Sequence, residues 1–112
     1  MPHCIIEHSI SLNGADLVPI VFDAALASGL FAENGQDIKV RALAYQHYLT
    51  GKEKSDFVHV TLRILSGRTD EQKQSLSQVV LQRLSGVSLE KCSVTVEIVE
   101  MDRNSYGKSV SV

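Results

Sequence analysis

The middle of the chain, residues 56–72, reads DFVHVTLRILSGRTDEQ and carries the clearest structural pattern in the sequence. Apolar and polar residues alternate over residues 56–65, which is typical of a strand with one buried face. That face contains Val58, Val60, Leu62 and Ile64. After a turn at Gly67-Arg68, Thr69 and Gln72 have the spacing of a helix capping box. The stretch therefore predicts a strand that leads directly into a helix.

The second half of the chain continues this helix and adds one more strand. We expect the helix to run to about Ser85, with Gly86 ending it. Its apolar stripe contains Leu76, Val79, Val80 and Leu84. The last strand is expected from about Ser93 to Glu100, with Val94, Val96 and Ile98 facing the core. Residues 102–112 are polar, and we expect a hairpin or an arm there, with a neighbouring copy as one candidate contact.

The first half of the chain repeats this order of elements. A strand is expected at about residues 3–8, a helix at about residues 15–28 and a second strand at about residues 38–45. The buried face of the helix contains Leu17, Val21, Ala24 and Ala25. Pro19 is expected early in the helix, where a missing N–H costs least, and Gly29 is expected to be its C-cap.

The repeated order predicts two tandem β-α-β units, at about residues 2–50 and 55–101, within a single domain over residues 1–112. A helical crossover implies parallel strands within each unit and a right-handed connection. Side by side, the units form a four-stranded mixed sheet with both helices on one face, an α+β or α/β architecture. The opposite face still carries Leu43, Tyr45 and Phe57. We therefore expect oligomerisation to cover that face.

Composition excludes several classes of protein. The net charge of the 112 residues is -2, and no basic stripe indicates a nucleic-acid partner. No apolar run approaches the roughly 20 residues of a membrane helix, and no leader segment is visible, so we expect no membrane partner and a cytoplasmic location. Cys4 and Cys92 are expected to be free thiols. The histidines show no metal-ligand spacing: His3, His8, His47 and His59.

Several segments together resemble a known enzyme family. Residues 1–7, MPHCIIE, and residues 57–62, FVHVTL, resemble the 5-carboxymethyl-2-hydroxymuconate delta-isomerases. Residues 64–73, ILSGRTDEQK, resemble the opening of 4-oxalocrotonate tautomerase, a half-length relative. Residues 99–101 and 104–107 resemble that relative's closing strand and hairpin. The resemblance covers nearly the whole chain, and the run from Gly67 to Lys73 is its most specific part.

The resemblance implies the tautomerase fold, a homotrimer and catalysis without a cofactor or a metal. It implies an isomerase that moves a proton within an unsaturated 2-hydroxy or 2-oxo dicarboxylate from aromatic-compound degradation, with 5-carboxymethyl-2-hydroxymuconate as the expected substrate. The catalytic group is then Pro2, acting as acid and base through a free amine. That role requires removal of Met1, because the proline nitrogen is otherwise an amide without useful basicity. Apolar walls and nearby cations are expected to lower the pKa of the amine.

Four further residues are candidates for binding the substrate. Arg68 matches the arginine of the family motif and lies where a helix begins, a place that favours anions. Lys39 and Arg41 share one face of a strand, and the family has arginine where this chain has Lys39. Lysine keeps the charge but loses the forked geometry, so the preferred substrate can differ. Tyr106 aligns with an aromatic residue that shields the proline from water in the half-length relative.

Alternatives remain open at this point. Packing or structural roles are the competing interpretation for each of the four binding candidates, and such roles are favoured for His3, Glu7 and His59. A tautomerase-fold enzyme of another specificity, such as a hydratase, dehalogenase or decarboxylase, would also fit the lysine at position 39. If Met1 is retained, a non-catalytic oligomeric binding protein becomes the better interpretation.

Overall fold

The computed structural model describes residues 1–87 and 89–112. In chain order the elements are β1 (His3–Ser9), α1 (Gly14–Ala27), β2 (Lys39–Tyr45), β3 (Asp56–Leu65), α2 (Asp70–Ser85) and β4 (Cys92–Met101). The two predicted β-α-β units are confirmed.

The two units join through the central strands of the sheet, whose order is β2-β1-β3-β4. β1 pairs in parallel with β2, and β3 pairs in parallel with β4, because a helix connects each pair. β1 and β3 pair antiparallel, so the sheet is mixed, as predicted. His3 is therefore level with both Lys39 of β2 and Arg63 of β3. These three residues mark what we call the amino-terminal end of the sheet, where β1 and β2 begin and β3 ends.

Pro19 lies deeper in α1 than predicted. The side-chain oxygen of Asn13, the N-cap, accepts a hydrogen bond from the Ala15 N–H at 3.0 Å. The helix thus begins at Gly14, which puts Pro19 in the second turn. The expectation that Pro19 lies where a missing N–H costs least is wrong, because a residue at this depth would normally donate to the Ala15 carbonyl.

The other helix ends follow the sequence more closely. Thr69 and Gln72 form the expected capping box at the start of α2, and Gly86 is the C-cap. At the end of α1 the C-cap is Ser28 rather than Gly29. Gly29 follows with φ 72°, a left-handed conformation that glycine adopts without strain.

Replacing Gly14 with alanine is expected to destabilise the protein, although alanine usually favours a helix. A Cβ at position 14 would lie 2.8 Å from Nε2 of His8, a ring that is buried and bonded through Nδ1 to the Ser9 carbonyl at 2.8 Å. Because that ring cannot move freely, we expect a loss of about 1–3 kcal/mol in the free energy of unfolding, measured by urea denaturation.

Gly86→Ala is the matched control for that measurement. A Cβ there meets only backbone oxygens at 3.5 and 3.7 Å, which are ordinary contacts, and φ is -73°. The control should be neutral or stabilising by up to about 1 kcal/mol. Equal effects of the two alanines would contradict the role assigned to the His8 ring.

The core lies between the sheet and the two helices. The buried faces of α1 and β3 contain the residues predicted for them. In α2 the predicted stripe is buried except for Val79, which is partly buried and packs against the core. The predicted core residues of β4 are also only partly buried, because β4 is an edge strand: Val94, Val96 and Ile98.

The sheet face opposite the helices is more polar than the three apolar residues predicted there suggest. Glu7 accepts a hydrogen bond from the Tyr45 hydroxyl. His59 contacts Glu97 through Nε2 at 2.5 Å and Thr95 through Nδ1 at 2.7 Å. These contacts agree with structural roles for Glu7 and His59.

Apolar groups on this face collect at the end away from His3. The Phe57 ring lies 6.1 Å from the Tyr45 ring and 5.2 Å from the Tyr48 ring, measured between centroids. Leu43 is 55% exposed, and Leu49 in the following loop is 73% exposed. Exposed apolar groups on a sheet face are what a neighbouring subunit would cover.

Residues 102–112 form a turn followed by irregular chain, rather than the hairpin named as one alternative. The Asp102 carbonyl accepts hydrogen bonds from the N–H groups of Ser105 and Tyr106, at 3.2 and 3.1 Å. The segment then returns across its own chain, where Tyr106 contacts His3. We call residues 102–112 the C-terminal segment.

Candidate active site

The residues before β1 lie at the amino-terminal end of the sheet. Pro2 is fully buried, and its carbonyl accepts a hydrogen bond from the Lys39 N–H at 3.1 Å. This bond extends the pairing of β1 and β2 by one residue. The start of the chain is therefore held beside the start of β2, next to the cations that β2 carries.

The amino group at the start of the chain lies among charged side chains. Its pKa is lowered, first by burial and then by the positive charges of Lys39 and Lys108, while Asp37 has the opposite effect. Lys39 Nζ donates to the Asp37 carbonyl at 3.2 Å, and Lys108 Nζ pairs with the Asp37 carboxylate at 3.2 Å. The amine described here belongs to Met1. The surroundings favour a neutral amine, the form that accepts a proton.

His3 connects two of the predicted substrate-binding residues. An N–H of Arg41 donates to Nδ1 of His3 at 3.2 Å, and Nε2 of His3 lies 2.9 Å from the Tyr106 hydroxyl. Since a guanidinium has no acceptor, Nδ1 must accept, which puts the proton of the neutral ring on Nε2. Burial lowers the pKa of His3, and the charge of Arg41 lowers it further. The ring therefore holds Arg41 and Tyr106 at fixed positions beside the proline.

Arg68 contacts a different part of the chain. Its guanidinium donates to the Leu30 carbonyl at 3.0 Å and lies over the Phe31 ring, with 5.7 Å from Cζ to the centroid. These contacts join the start of α2 to the segment after α1. Arg68 follows β3 and so lies toward the same end of the sheet as Pro2, but its guanidinium is engaged with the chain itself.

Sequence reasoning missed two residues of this cluster, Asp37 and Lys108. Asp37 lies two residues before Lys39, the first residue of β2, so its place near the cations could have been inferred from strand alternation. No sequence pattern indicated that Lys108 lies near these cations. Its position depends on the C-terminal segment folding back over β1, which no periodicity in that segment indicates.

Other reactive groups are not arranged for chemistry. Cys4 is buried, and burial raises the pKa of its thiol to about 12. Cys92 is also a free thiol, as predicted. Within residues 1–87 and 89–112, no group of three or more His, Cys, Asp or Glu side chains could hold a metal ion. No helix in the same ranges is long and apolar enough to cross a membrane.

A larger cavity, of about 580 Å³, lies at the opposite end of the sheet. Its walls include Tyr48, Leu49, Phe57 and His59. The described residues that line this cavity include no lysine or arginine. A substrate with several carboxylates requires such cations. The smaller cavity beside Lys39, of about 470 Å³, fits that chemistry better.

Comparison with known proteins identifies the family. The model of the 5-carboxymethyl-2-hydroxymuconate isomerase family matches residues 2–111. The chain belongs to this family. Membership supports isomerase or tautomerase activity for the chain. No curated protein sequence matches the chain.

Solved structures with low sequence identity share the fold. A 5-carboxymethyl-2-hydroxymuconate isomerase from Deinococcus radiodurans R1 is 22% identical with a TM-score of 0.79, over 98% of this chain and 90% of that one. A fused 4-OT, described as an asymmetric trimer, is 14% identical with a TM-score of 0.80, over 95% and 91%. An FG41 malonate semialdehyde decarboxylase inhibited by 3-bromopropiolate is 15% identical with a TM-score of 0.73, over 97% and 90%. The expected tautomerase fold is confirmed.

Proposed function

We propose that this chain is an isomerase that moves a proton within 5-carboxymethyl-2-hydroxymuconate, with Pro2 as its acid and base after removal of Met1. The observation that carries the proposal is the buried start of the chain, where burial and the charges of Lys39 and Lys108 lower the pKa of the Met1 amine, one residue before Pro2. A neutral secondary amine there takes a proton from one position of the conjugated acid and returns it to another. The double bonds shift between the two steps, and no cofactor is required.

The positive side chains supply the second requirement, which is stabilisation of negative charge. Lys39 and Arg41 carry the charge that holds a carboxylate and the oxygen on which charge develops. Tyr106, fixed by His3, limits the access of water to the amine. Arg68 uses one nitrogen of its guanidinium to bond the Leu30 carbonyl, so its other N–H groups would bind the substrate carboxylate.

We also propose that the chain assembles as a homotrimer. Three similar structures, all fused 4-OT proteins, are described as trimers, and the open sheet face of this chain presents Leu43 and the ring of Phe57 for coverage by a second copy. Sedimentation equilibrium of the purified protein should give three times the chain mass of 12.3 kDa. A monomer at all concentrations would contradict the trimer.

The direct test of the function combines two measurements on one preparation. Intact mass should show loss of Met1, and the ultraviolet absorption of the dienol should then decay in the presence of enzyme. A processed protein that leaves 5-carboxymethyl-2-hydroxymuconate unchanged would refute the proposal. Full retention of Met1 in the native host would instead favour a non-catalytic binding protein.

A second candidate is a tautomerase-fold enzyme with another reaction, such as decarboxylation. It is favoured by Lys39, which stands where related isomerases carry arginine and whose ammonium, here donating to the Asp37 carbonyl, lacks the planar fork of a guanidinium. Assaying malonate semialdehyde for release of carbon dioxide separates the two reactions.

Lys39→Met is expected to move the acid limb of the pH profile of kcat/KM to higher pH. A cation near the amine disfavours its protonated form, so removing the cation raises the pKa of the amine and the free base appears only at higher pH. Lys39→Arg, which keeps the charge, should leave the limb in place. An unchanged limb in the methionine variant would contradict the role of this charge.

A further inference from the structure

A cavity of about 470 Å³ joins the start of β2 to the C-terminal segment. Gln36, Asp37 and Lys39 form one wall, and Lys108 and Val110 form the other. The two walls are distant in sequence, because Lys108 and Asp37, the pair that bridges them, are 71 residues apart. The cavity therefore exists only because the C-terminal segment folds back onto the start of the chain.

Two contacts fix that fold-back. Tyr106 is held by Nε2 of His3 at 2.9 Å, and its ring packs edge-on against the His3 ring with centroids 6.1 Å apart. Two residues later, Lys108 Nζ reaches the Asp37 carboxylate at 3.2 Å. Both side chains of this pair are about 40% exposed, at 42% and 38%. An ion pair so exposed contributes little to stability, so an incoming carboxylate can replace Asp37.

Three other cations near this end already contact other parts of the chain. Arg68 is bonded to Leu30, and Arg103 donates from Nε to the Ser66 carbonyl at 3.1 Å. Arg41 is bonded to His3 beside the proline. Lys108 thus offers a positive charge that lines the cavity, and within residues 1–87 and 89–112 its partner is the exposed Asp37 carboxylate.

The compound in the family's name, 5-carboxymethyl-2-hydroxymuconate, carries three carboxylates. Two belong to muconate and one belongs to the carboxymethyl substituent. We propose that Lys108 binds the carboxymethyl carboxylate and so determines specificity for substrates that carry it. This inference rests on the proposed function, in which Lys39 and Arg41 hold the muconate part near Pro2. The Asp37 carboxylate pairs with Lys108 until the substrate carboxylate replaces it.

The test compares two substrates that differ only in the substituent, 5-carboxymethyl-2-hydroxymuconate and 2-hydroxymuconate. In the processed enzyme, at a pH on the plateau of activity, Lys108→Met should lower the ratio of their kcat/KM values by about tenfold to a hundredfold, the effect of losing one hydrogen bond to a charged group. Lys108→Arg should keep most of the ratio. Lys52→Met, which removes an exposed lysine from the loop between β2 and β3, should leave the ratio unchanged.

Equal losses on both substrates, or no loss on either, would overturn the inference. If the wild-type enzyme converts neither substrate, the proposed function fails, and calorimetric binding of two unreactive probes decides the inference separately. Wild type should bind tricarballylate, which has three carboxylates, more tightly than glutarate, which has two. Lys108→Met should remove that preference, and a preference that persists in the variant would overturn the role of Lys108.

Discussion

Pro2→Ala is expected to lower kcat by about 10²–10⁴-fold, the contribution of a well-placed general acid and base. Alanine is also a small second residue, so Met1 removal should be unaffected and the variant should still begin with a free amine. That amine is primary and rotates about the N–Cα bond, whereas the proline ring fixes the direction of its nitrogen. The ring is buried, and a hydrogen bond from the Lys39 N–H to the Pro2 carbonyl holds the residue beside β2. The measurement is single-substrate kinetics with 5-carboxymethyl-2-hydroxymuconate after intact mass has confirmed processing.

A second variant separates the amine from the ring. A Gly-Ser extension before Pro2 keeps the ring but converts its nitrogen to an amide, and activity should then be lost completely. Circular dichroism and sedimentation should match wild type for Pro2→Ala, so that a loss of activity is not a loss of fold. Wild-type kcat in the extended variant would show that the amine of Pro2 is not the base, whereas wild-type kcat in Pro2→Ala would show that the proline ring is not required.

The fold was largely predictable because short-range patterns determine most of it. In β3 the alternation over residues 56–65 gave the observed boundaries, and the capping box at Thr69 gave the start of α2. The start of α1 was harder to predict because it depends on a contact between distant residues. Gly14 is the first helical residue and leaves space for the buried ring of His8, which no local pattern shows.

The candidate site was predictable only in part, for a related reason. Lys39 and Arg41 could be placed together because strand alternation puts both on one face. Their relation to His3 and Lys108 depends on how strands pair and where the C-terminal segment returns. For Arg68, a sequence motif identified the residue but not its contacts. Its contacts with Leu30 and Phe31 come from the packing of α1 against α2.

Leu62→Ala is expected to lower the free energy of unfolding by about 2–5 kcal/mol, the usual cost of a cavity in a close-packed core. Leu62 is fully buried on the helix-facing side of β3, level with Cys4 of β1 and Ile98 of β4. Because hydrogen-bonded strands flank it on both sides, the backbone cannot collapse into the space that the smaller residue leaves. Ile10→Ala, at a site 56% exposed, should cost only a fraction of this. Urea denaturation at one fixed protein concentration gives the comparison, since assembly adds to stability in a concentration-dependent way. Equal losses at the two positions would mean that Leu62 does not lie in the main core.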